Sequence, residues 1–324
     1  MSGKRWNSFC VVGLGGHART KLLPALAANG QALAAVVSRS LAPAPGAVPK
    51  FNDVTAAMKS LTPEIVFLLS SPPALHFEQA RPLLEAGRDL IVEKPAFATA
   101  RQAADASALA MKSGSVLAEA FMHRQTELHR RLLAAWHEHE GCFDAIEIEF
   151  LIPGAPAGTF REQADIGSSL LLDVGCYAIS LLIDLRLPLD SLKLAHVSAA
   201  GNPLAERYRI EGKVKGLAIS ADIGIGAEYS NKVVLRAPDS SMRYGPFFYG
   251  RPGVRSIEHQ KRGESVIESI VEANAFERLL NVPPAAWLAD QADRLQDMIE
   301  ATRCLERVGR DLIDRRAAAL RRSS

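Results

Sequence analysis

The sequence has few cysteines, and they follow no recognisable pattern. Its 324 residues include only four, Cys10, Cys142, Cys176 and Cys304. They form no CxxC pair and have no regular spacing, so they predict neither a zinc site nor a disulfide framework. We therefore expect no bound metal and a reducing compartment.

A strong charge of one sign is also missing, as is any long apolar run. The formal net charge is +2, and no domain-sized stretch concentrates lysine and arginine, so we expect no nucleic-acid partner. No run is long enough to span a bilayer, and residues 1–7 do not resemble a signal peptide. We expect a cytoplasmic protein with a small-molecule substrate and no membrane partner. The 48% hydrophobic content is typical of a globular chain, and the length allows two domains.

A glycine-rich turn follows the first apolar run. Residues 8–12 (SFCVV) predict a strand, and residues 19–29 predict a helix kinked at Pro24. The G-x-G-x-x-A turn between them is typical of dinucleotide folds, where glycines permit a tight turn and close approach of the pyrophosphate to a helix N-terminus. The predicted cofactor-binding turn consists of Gly13, Leu14, Gly15, Gly16, His17 and Ala18.

The end of the next predicted strand indicates which cofactor binds. Residues 33–37 lead into Ser38, Arg39 and Ser40, with no acid at this position. NAD-binding sites usually place an acid here, whereas an arginine accommodates a 2′-phosphate. We predict NADP(H), with Ser38 and Arg39 binding the phosphate. The alternative is an arginine solvated in a surface loop.

Strands and helices alternate over the first 120 residues, which predicts a doubly wound parallel sheet. One predicted strand of this region, residues 90–92, is followed by Glu93, Lys94 and Pro95. Its carboxyl end falls at the edge of the sheet where ligands bind. Lys94 is therefore either an acid/base group or a lysine that reaches from a strand end into water.

The pattern changes near residue 120. Several later runs, such as residues 143–152, alternate apolar and polar residues without intervening helices, which predicts antiparallel strands. We predict an α/β fold with a doubly wound Rossmann domain over residues 1–120. The α+β domain over residues 121–324 would carry a large, mainly antiparallel open sheet, substrate binding and oligomerisation. Residues 285–310 predict a long amphipathic helix.

A second polar motif lies in an apolar helix predicted from Ser168 or Ser169 to about residue 187. Asp173 and Tyr177 are four residues apart, so both project from one face. Gly175 between them permits close approach of another group. The pair is either a buried hydrogen bond inside a core or part of a catalytic site.

Five short motifs in this order resemble the Gfo/Idh/MocA oxidoreductase family. They are GLGGHA at residues 13–18, SPPALH at 71–76, EKP at 93–95, EAFMHR at 119–124 and DVGCY at 173–177. The resemblance implies a Rossmann domain, a second domain on an open sheet, and a last helix that packs back on the first domain. It also implies a cis Lys94–Pro95 peptide and a homodimer or homotetramer paired through sheet faces.

The resemblance also implies roles for individual residues. Lys94, Asp173 and Tyr177 would be the catalytic group, with His123 near the substrate. Arg161 precedes the helix that carries Asp173, where it could contact substrate or cofactor or form a structural salt bridge. Further implied cofactor contacts are Ser70, Ser71, Pro72, His76, Glu93, Lys94 and Arg124.

Two features depart from the common family pattern. Thr126-Glu127 stands where members commonly have His-Pro, and His123 stands in place of a common tyrosine. Tyr177, where many members have histidine, resembles members that reduce ketones or oxidise sugars with NADP.

These observations predict an NADP(H)-dependent oxidoreductase acting on CH-OH groups. It would transfer hydride between the nicotinamide and a carbonyl or secondary alcohol of a sugar-like or polyol substrate. Tyr177 would donate the proton, Lys94 would stabilise the phenolate and the substrate oxygen, and Asp173 would orient Lys94 or a substrate hydroxyl. The alternatives are a reductase of an imine or another biosynthetic intermediate, and a non-catalytic NADP-binding regulator.

Overall fold

The chain forms two compact units. The computed structural model describes residues 5–40, 44–154, 170–199, 206–226 and 228–323. The first unit contains the described residues up to Met122 and also Asn274–Ile299. The second contains the described residues between His123 and Ala273 and the chain from Glu300 onward. The assignment of cofactor binding to one unit and substrate binding to the other stays a prediction.

The first unit is built on a parallel sheet of six described strands in the order β3-β2-β1-β4-β5-β6. This is the strand order of a doubly wound dinucleotide-binding fold, and it confirms the predicted Rossmann sheet. All five pairings are parallel, so the carboxyl ends of the strands share one edge. The strands are β1 (Ser8–Val12), β2 (Ala32–Val37), β3 (Lys50–Phe51), β4 (Val66–Leu69), β5 (Leu90–Val92) and β6 (Leu117–Glu119).

Two helices of this unit begin after residues whose side chains cap them. The Asp53 carboxylate accepts a bond of 2.8 Å from the Ala56 amide, and the Thr99 hydroxyl accepts one from the Gln102 amide. Such caps satisfy amides that have no partner within the helix. The helices are α1 (Leu23–Ala28), α2 (Val54–Ser60), α3 (Pro73–Glu85) and α4 (Ala100–Ser113).

A π-helical turn, Ala18–Leu22, precedes α1. The Leu23 amide donates to the Ala18 carbonyl, five residues earlier. Pro24 follows at once, and proline has no amide hydrogen and clashes with the carbonyl four residues before it. The wider turn accommodates this clash, so the predicted kink takes the form of a change in helix type.

The core of the first unit also includes residues from the end of the chain. Leu295 and Met298 belong to the same buried cluster as Phe67 and Val92 of the parallel sheet. The predicted single helix over residues 285–310 was wrong in one respect, because Asp290 adopts a non-helical conformation and interrupts it. The helices observed are α7 (Ala275–Leu280), α8 (Pro284–Ala289) and α9 (Gln291–Ser323).

The second unit carries a sheet of eight described strands in the order β14-β13-β12-β11-β7-β10-β9-β8. Only β7 and β10 pair in parallel among these strands, which confirms the mainly antiparallel prediction. The strands are β7 (Ala145–Ile152), β8 (Lys193–Ala199), β9 (Glu206–Val214), β10 (Leu217–Ile225), β11 (Ser230–Ala237), β12 (Ser240–Gly245), β13 (Gly253–Lys261) and β14 (Glu264–Glu272).

Two helical segments of the second unit lie in the region of the predicted site, and the second of them contains Asp173 and Tyr177. One is α5 (Glu127–Glu138). The other is a π-helical turn, Leu171–Gly175, that continues into α6 (Cys176–Asp184). The predicted caps Ser168 and Ser169 lie outside the described residues. None of the helices described in either unit is long and apolar enough to cross a membrane.

Candidate functional site

The first glycine of the turn is required by the fold. Gly13 has φ of +89°, and a Cβ on it would lie 2.6 Å from the Ser71 amide nitrogen and 2.8 Å from the Ser70 carbonyl oxygen. Its own amide donates to the Val37 carbonyl at 2.9 Å. A residue with a side chain would be strained and would clash with backbone. Gly13 therefore brings the turn after β1 against the end of β4, where the predicted contacts Ser70, Ser71 and Pro72 lie.

The next two glycines leave space for a ligand instead. Among the described atoms, none lies within 4 Å of a Cβ placed on Gly15 or Gly16. Their carbonyls begin the following helix, because the Arg19 amide donates to Gly15 and the Thr20 hydroxyl donates to Gly16. Leu14 and Ala18 are buried on the protein side of this turn. The turn thus fits a dinucleotide pyrophosphate, whose oxygens need close approach to backbone amides.

The predicted phosphate-recognition segment lies at the end of β2, on the same sheet edge. The Ser38 amide donates to the Phe51 carbonyl at 2.9 Å, and the Ser40 amide donates to the Ser38 hydroxyl at 3.2 Å. Arg39 is exposed between them. The arrangement leaves the Arg39 guanidinium at the surface where the fold places the adenosine ribose.

His76 links two loops at this edge. It is fully buried, with Nε2 2.8 Å from the Ser71 carbonyl oxygen and Nδ1 3.0 Å from the Ala96 carbonyl oxygen. Burial lowers the pKa of His76, although its hydrogen bonds to the two carbonyls act in the opposite direction. His76 therefore positions the segments around it through backbone contacts.

Glu93 is buried at the end of β5 and joins the strand to the glycine-rich turn. Its Oε1 lies 2.9 Å from His17 Nε2, and its Oε2 accepts the Lys94 amide at 3.3 Å. Burial by itself would raise the pKa of Glu93, but the facing His17 imidazole and Lys94 outweigh it and lower the pKa. The carboxylate is thus held in its charged form.

The peptide between Lys94 and Pro95 is cis, as the family resemblance implies. Just after it, the Ala96 amide donates to Glu119 Oε1 at 2.8 Å. The motif residue Glu119 therefore supports the turn that follows Lys94. In the first unit, the predicted residues at 13–18, 38–39, 70–72, 76 and 93–94 all lie at the carboxyl edge of one sheet.

Asp173 and Tyr177 lie in the second unit, and each is 7% exposed. Asp173 is within the π-helical turn, and Tyr177 is in the first turn of α6. A Cβ on Gly175 would lie 3.0 Å from Leu171 Cδ1 and 3.4 Å from Ile223 Cδ1. The glycine lets this helical segment approach β10 closely, as its position in the sequence indicates. π-helical turns are frequent at functional sites.

The Tyr177 ring packs in an aromatic cluster. The ring centroids of Phe150, Phe248 and His123 lie 5.3, 5.4 and 5.5 Å from that of Tyr177. These distances are typical of favourable aromatic pairs, which restrict the ring to one orientation. His123, a predicted substrate contact, is fully buried, and its Nε2 lies 3.4 Å from the Ser180 hydroxyl.

A partly buried ion-pair cluster lies beside this aromatic cluster. Arg124 donates from Nε to Asp184 Oδ2 at 3.0 Å, and its second nitrogen lies 2.9 Å from Oδ1. His129 Nε2 is 2.9 Å from the same Oδ2. Burial alone would raise the pKa of Asp184, but Arg124 and His129 outweigh it and hold the pKa well below its usual range. Arg124, predicted to contact the cofactor, is therefore engaged with a carboxylate of its own unit.

The same residues include a possible ligand set for a metal ion. Donor atoms of His123, His129 and Asp184 lie within 4.8 Å of one another. Both Asp184 oxygens, however, already face nitrogen groups, and Arg124 supplies the positive charge that a cation would bring. This chemistry favours an ion-pair cluster over a metal centre.

The sequence analysis missed several residues that shape this region. Phe247 and Phe248 follow a second cis peptide, Gly245–Pro246. The buried Asn231 side chain accepts the Phe247 amide at 3.0 Å and the Phe248 amide at 2.7 Å. The Gly-Pro-Phe-Phe sequence indicates a turn, but no local pattern indicates that this turn is bound by the Asn231 side chain. Arg161 lies outside the described residues.

Comparison with known proteins adds to this description. Residues 8–121 match a family described as oxidoreductases with an NAD-binding Rossmann fold. A dTDP-3,4-didehydro-2,6-dideoxy-alpha-D-glucose 3-reductase from Streptomyces violaceoruber is 27% identical over 276 residues, 82% of this chain and 80% of that enzyme. The Actinomadura kijaniata enzyme of that name is 26% identical over 212 residues, 63% of this chain and 62% of its own length. The alignment thus covers less than two thirds of the Actinomadura kijaniata enzyme.

A solved structure agrees along nearly the whole chain. A 3-ketoreductase from Actinomadura kijaniata, in complex with NADP and TDP-benzene, superimposes with a TM-score of 0.82 at 20% identity. The match covers 94% of this chain and 97% of that one, and it shows a shared fold.

Fold and site together define a protein with a dinucleotide-binding Rossmann unit and a second unit on a large, mainly antiparallel sheet. The resemblance noted from the five motifs is confirmed. Residues 8–121 match the model of the Gfo/Idh/MocA oxidoreductase family.

Proposed function

We propose that this protein is an NADP(H)-dependent reductase of a ketone on a sugar, with nucleotide-linked keto sugars as the first substrates to test. The observation that carries the proposal lies in the first unit. An open glycine turn, an exposed Arg39 and the consecutive residues Glu93 and Lys94 occupy one edge of the sheet. The 3-reductases and the NADP-bound ketoreductase among the relatives support this choice of cofactor and substrate.

NADPH, when bound, supplies the hydride for the carbonyl carbon. The amides of the turn at Gly13, Gly15 and Gly16 would bind the pyrophosphate, and Ser38 and Arg39 would bind the 2′-phosphate. Ser70, Ser71 and Pro72 would line the cofactor beside the turn. The nicotinamide end would then lie near Lys94.

Tyr177 and Lys94 would have different roles toward the substrate oxygen. The phenol of Tyr177 would donate a proton to it, and the ammonium of Lys94 would hydrogen-bond it as negative charge develops. The same ammonium would stabilise the tyrosinate left behind. The Asp173 carboxylate would orient Lys94 or a substrate hydroxyl, and His123 and Arg161 would contact the sugar. The buried position of Asp173 and the aromatic cluster around Tyr177 support fixed orientations for both groups.

The first test is a fluorescence titration of the purified protein with NADPH and NADH. A panel of keto sugars, both nucleotide-linked and not, is then followed at the nicotinamide absorbance. We expect tighter binding of NADPH and turnover of at least one member. Turnover of imines alone would favour the alternative reductase, and NADPH binding without any turnover would favour a non-catalytic regulator.

Replacement of the proposed proton donor gives a sharper test. Tyr177→Phe should lower kcat by about 10²- to 10⁴-fold, the usual contribution of a general acid, while NADPH binding is retained. Tyr249→Phe removes a hydroxyl elsewhere in the same unit and is the matched control. Full turnover by Tyr177→Phe would exclude Tyr177 from the mechanism.

The lysine is tested in the same assay. Lys94→Ala should reduce turnover at least as much as Tyr177→Phe, because it removes the charge that stabilises both oxygens. Lys112→Ala, at the exposed end of α4, serves as the control. An active Lys94→Ala protein would contradict the proposed dyad.

A further inference from the structure

We propose that Lys50 is a second cationic ligand for the 2′-phosphate of NADP(H), acting with Arg39 and Ser38. This inference rests on the proposed function. Lys50 lies in β3, outside both the glycine-rich turn and the segment that follows β2.

The short strand β3 brings Lys50 to the end of β2. Lys50 pairs with Val36 in parallel register, and Phe51 pairs with Val37. The Ser38 amide then donates to the Phe51 carbonyl at 2.9 Å, which extends the pairing by one residue. The Lys50 ammonium reaches forward and donates to the carbonyl oxygen of Ser40. The positive charge of Lys50 therefore lies beside the segment that contains Ser38 and Arg39.

The local charge is suited to an anion. The sequence from Ser38 to Asn52 contains Arg39 and Lys50 and no Asp or Glu. The first acid after it, Asp53, caps α2 through its bond to the Ala56 amide. Both cations are exposed, so they can approach a ligand without the cost of burying an isolated charge.

A phosphate monoester at this position needs several donors. It carries close to two negative charges and three acceptor oxygens. Arg39 can bind two of these oxygens in a fork, and the Ser38 hydroxyl can reach another. A lysine binds phosphate as a point charge, so Lys50 can exchange the neutral Ser40 carbonyl for a charged oxygen. Charge-assisted bonds are stronger than bonds to a neutral acceptor. NADH has no 2′-phosphate and offers Lys50 no such partner.

The test compares Lys50→Met with Lys59→Met. Lys59 lies on the exposed end of α2 in the same unit, and its replacement makes the same change in net charge. Fluorescence titrations with NADPH and with NADH give the two affinities for each protein. We expect Lys50→Met to weaken NADPH binding about tenfold, the size of one lost charge-assisted bond. NADH binding by Lys50→Met, and both affinities of Lys59→Met, should stay close to those of the unmodified protein.

Two further measurements separate charge from structure. Lys50→Arg keeps the cation and should retain most of the NADPH affinity. Adenosine 2′,5′-bisphosphate should compete less well with NADPH in Lys50→Met, whereas competition by 5′-AMP should be unchanged. Unchanged NADPH affinity in Lys50→Met, or an equal loss for NADPH and NADH, would overturn the role of Lys50 while leaving the proposed function intact. Preference of the unmodified protein for NADH would instead overturn the proposed cofactor, and this inference with it.

Discussion

Asp184 is a largely buried carboxylate in the second unit, and its neighbours hold it in the charged form. Its side chain is 14% exposed, and that of Arg124 is 21% exposed. Removal of one member of such a pair leaves the other charge without its counterpart in a poorly solvated place. The cluster lies next to the His123 ring, which in turn contacts Tyr177. The Asp184 carboxylate therefore contributes stability close to the proposed proton donor.

Asp184→Asn should lower the free energy of unfolding by about 3–5 kcal/mol at pH 7. The pKa of Asp184 is lowered in the folded protein, so its contribution is complete above the unfolded value of about 3.9. It declines as the pH falls toward the folded pKa. The difference in free energy of unfolding between the unmodified protein and the variant should thus be constant from about pH 6 to 8 and shrink below about pH 4.

Urea unfolding at several pH values measures this deficit. Glu147→Gln is the control, because the Glu147–Arg236 pair is exposed on both sides and should contribute less than about 1 kcal/mol. A deficit for Asp184→Asn as small as that of the control, or one that does not change with acid, would contradict the assignment.

The glycine-rich turn contains glycines that are needed for two different reasons. Gly13 is needed because backbone lies within 3 Å of its missing Cβ. Gly15 has space around it in the described structure and an ordinary φ, so the need for glycine there would come from the ligand.

Gly13→Ala should therefore affect stability, whereas Gly15→Ala should affect cofactor binding. Gly13→Ala should lower the melting temperature clearly, because the strained φ and the contact with Ser71 each cost on the order of 1–3 kcal/mol. Gly15→Ala should keep the melting temperature of the unmodified protein and bind NADPH about tenfold or more weakly, since a methyl group obstructs the pyrophosphate. Thermal unfolding and NADPH titration test both. Normal NADPH affinity in Gly15→Ala would show that the turn does not bind the cofactor.

Much of the first unit could be predicted from the sequence because its signals are local. Strands β1, β4 and β5 are short apolar runs followed directly by Gly13, Ser70 and Glu93, and the helices after β4 and β5 begin at Pro73 and Ala100. The position of Lys94 at the end of β5 followed from the same reasoning.

The parts that were missed depend on contacts distant in sequence. Strand β14 is an edge strand with Val266, Ile267 and Val271 exposed, so its apolar residues do not alternate as in a half-buried strand. The π-helical turn with Asp173 depends on the approach of Gly175 to Ile223, which is set by a strand about 50 residues away. The ion pair of Arg124 with Asp184 joins two helical segments that no local pattern relates.

At the scale of the molecule, one face of the second sheet combines ion pairs with exposed apolar residues. Lys232 lies 3.0 Å from Glu149, and the Arg236 guanidinium contacts Glu147. Ile267 pairs with Glu258 in register and is 66% exposed, and Val271, on the same face, is 80% exposed. Such a surface supports the expectation of a homodimer or homotetramer.

Size-exclusion chromatography with light scattering should therefore give twice or four times the mass of one chain. Val271→Asp should shift the protein toward smaller species, because it places a charge among the apolar residues of this face. Val266→Asp changes the same strand on the opposite face and is the control. A monomer at all concentrations, or equal effects of the two substitutions, would contradict the expectation.

Transfer of hydride from NADPH to a keto sugar is the most direct measurement of the proposed activity. NADPH labelled with deuterium at C4 is incubated with the protein and a keto sugar from the panel, and the product is analysed by mass spectrometry and NMR. We predict that deuterium appears on the carbon that was the ketone, and that Tyr177→Phe suppresses this transfer while Tyr249→Phe does not. No transfer to any member of the panel, with NADPH bound, would contradict the claim that this protein is an NADP(H)-dependent reductase of sugar ketones.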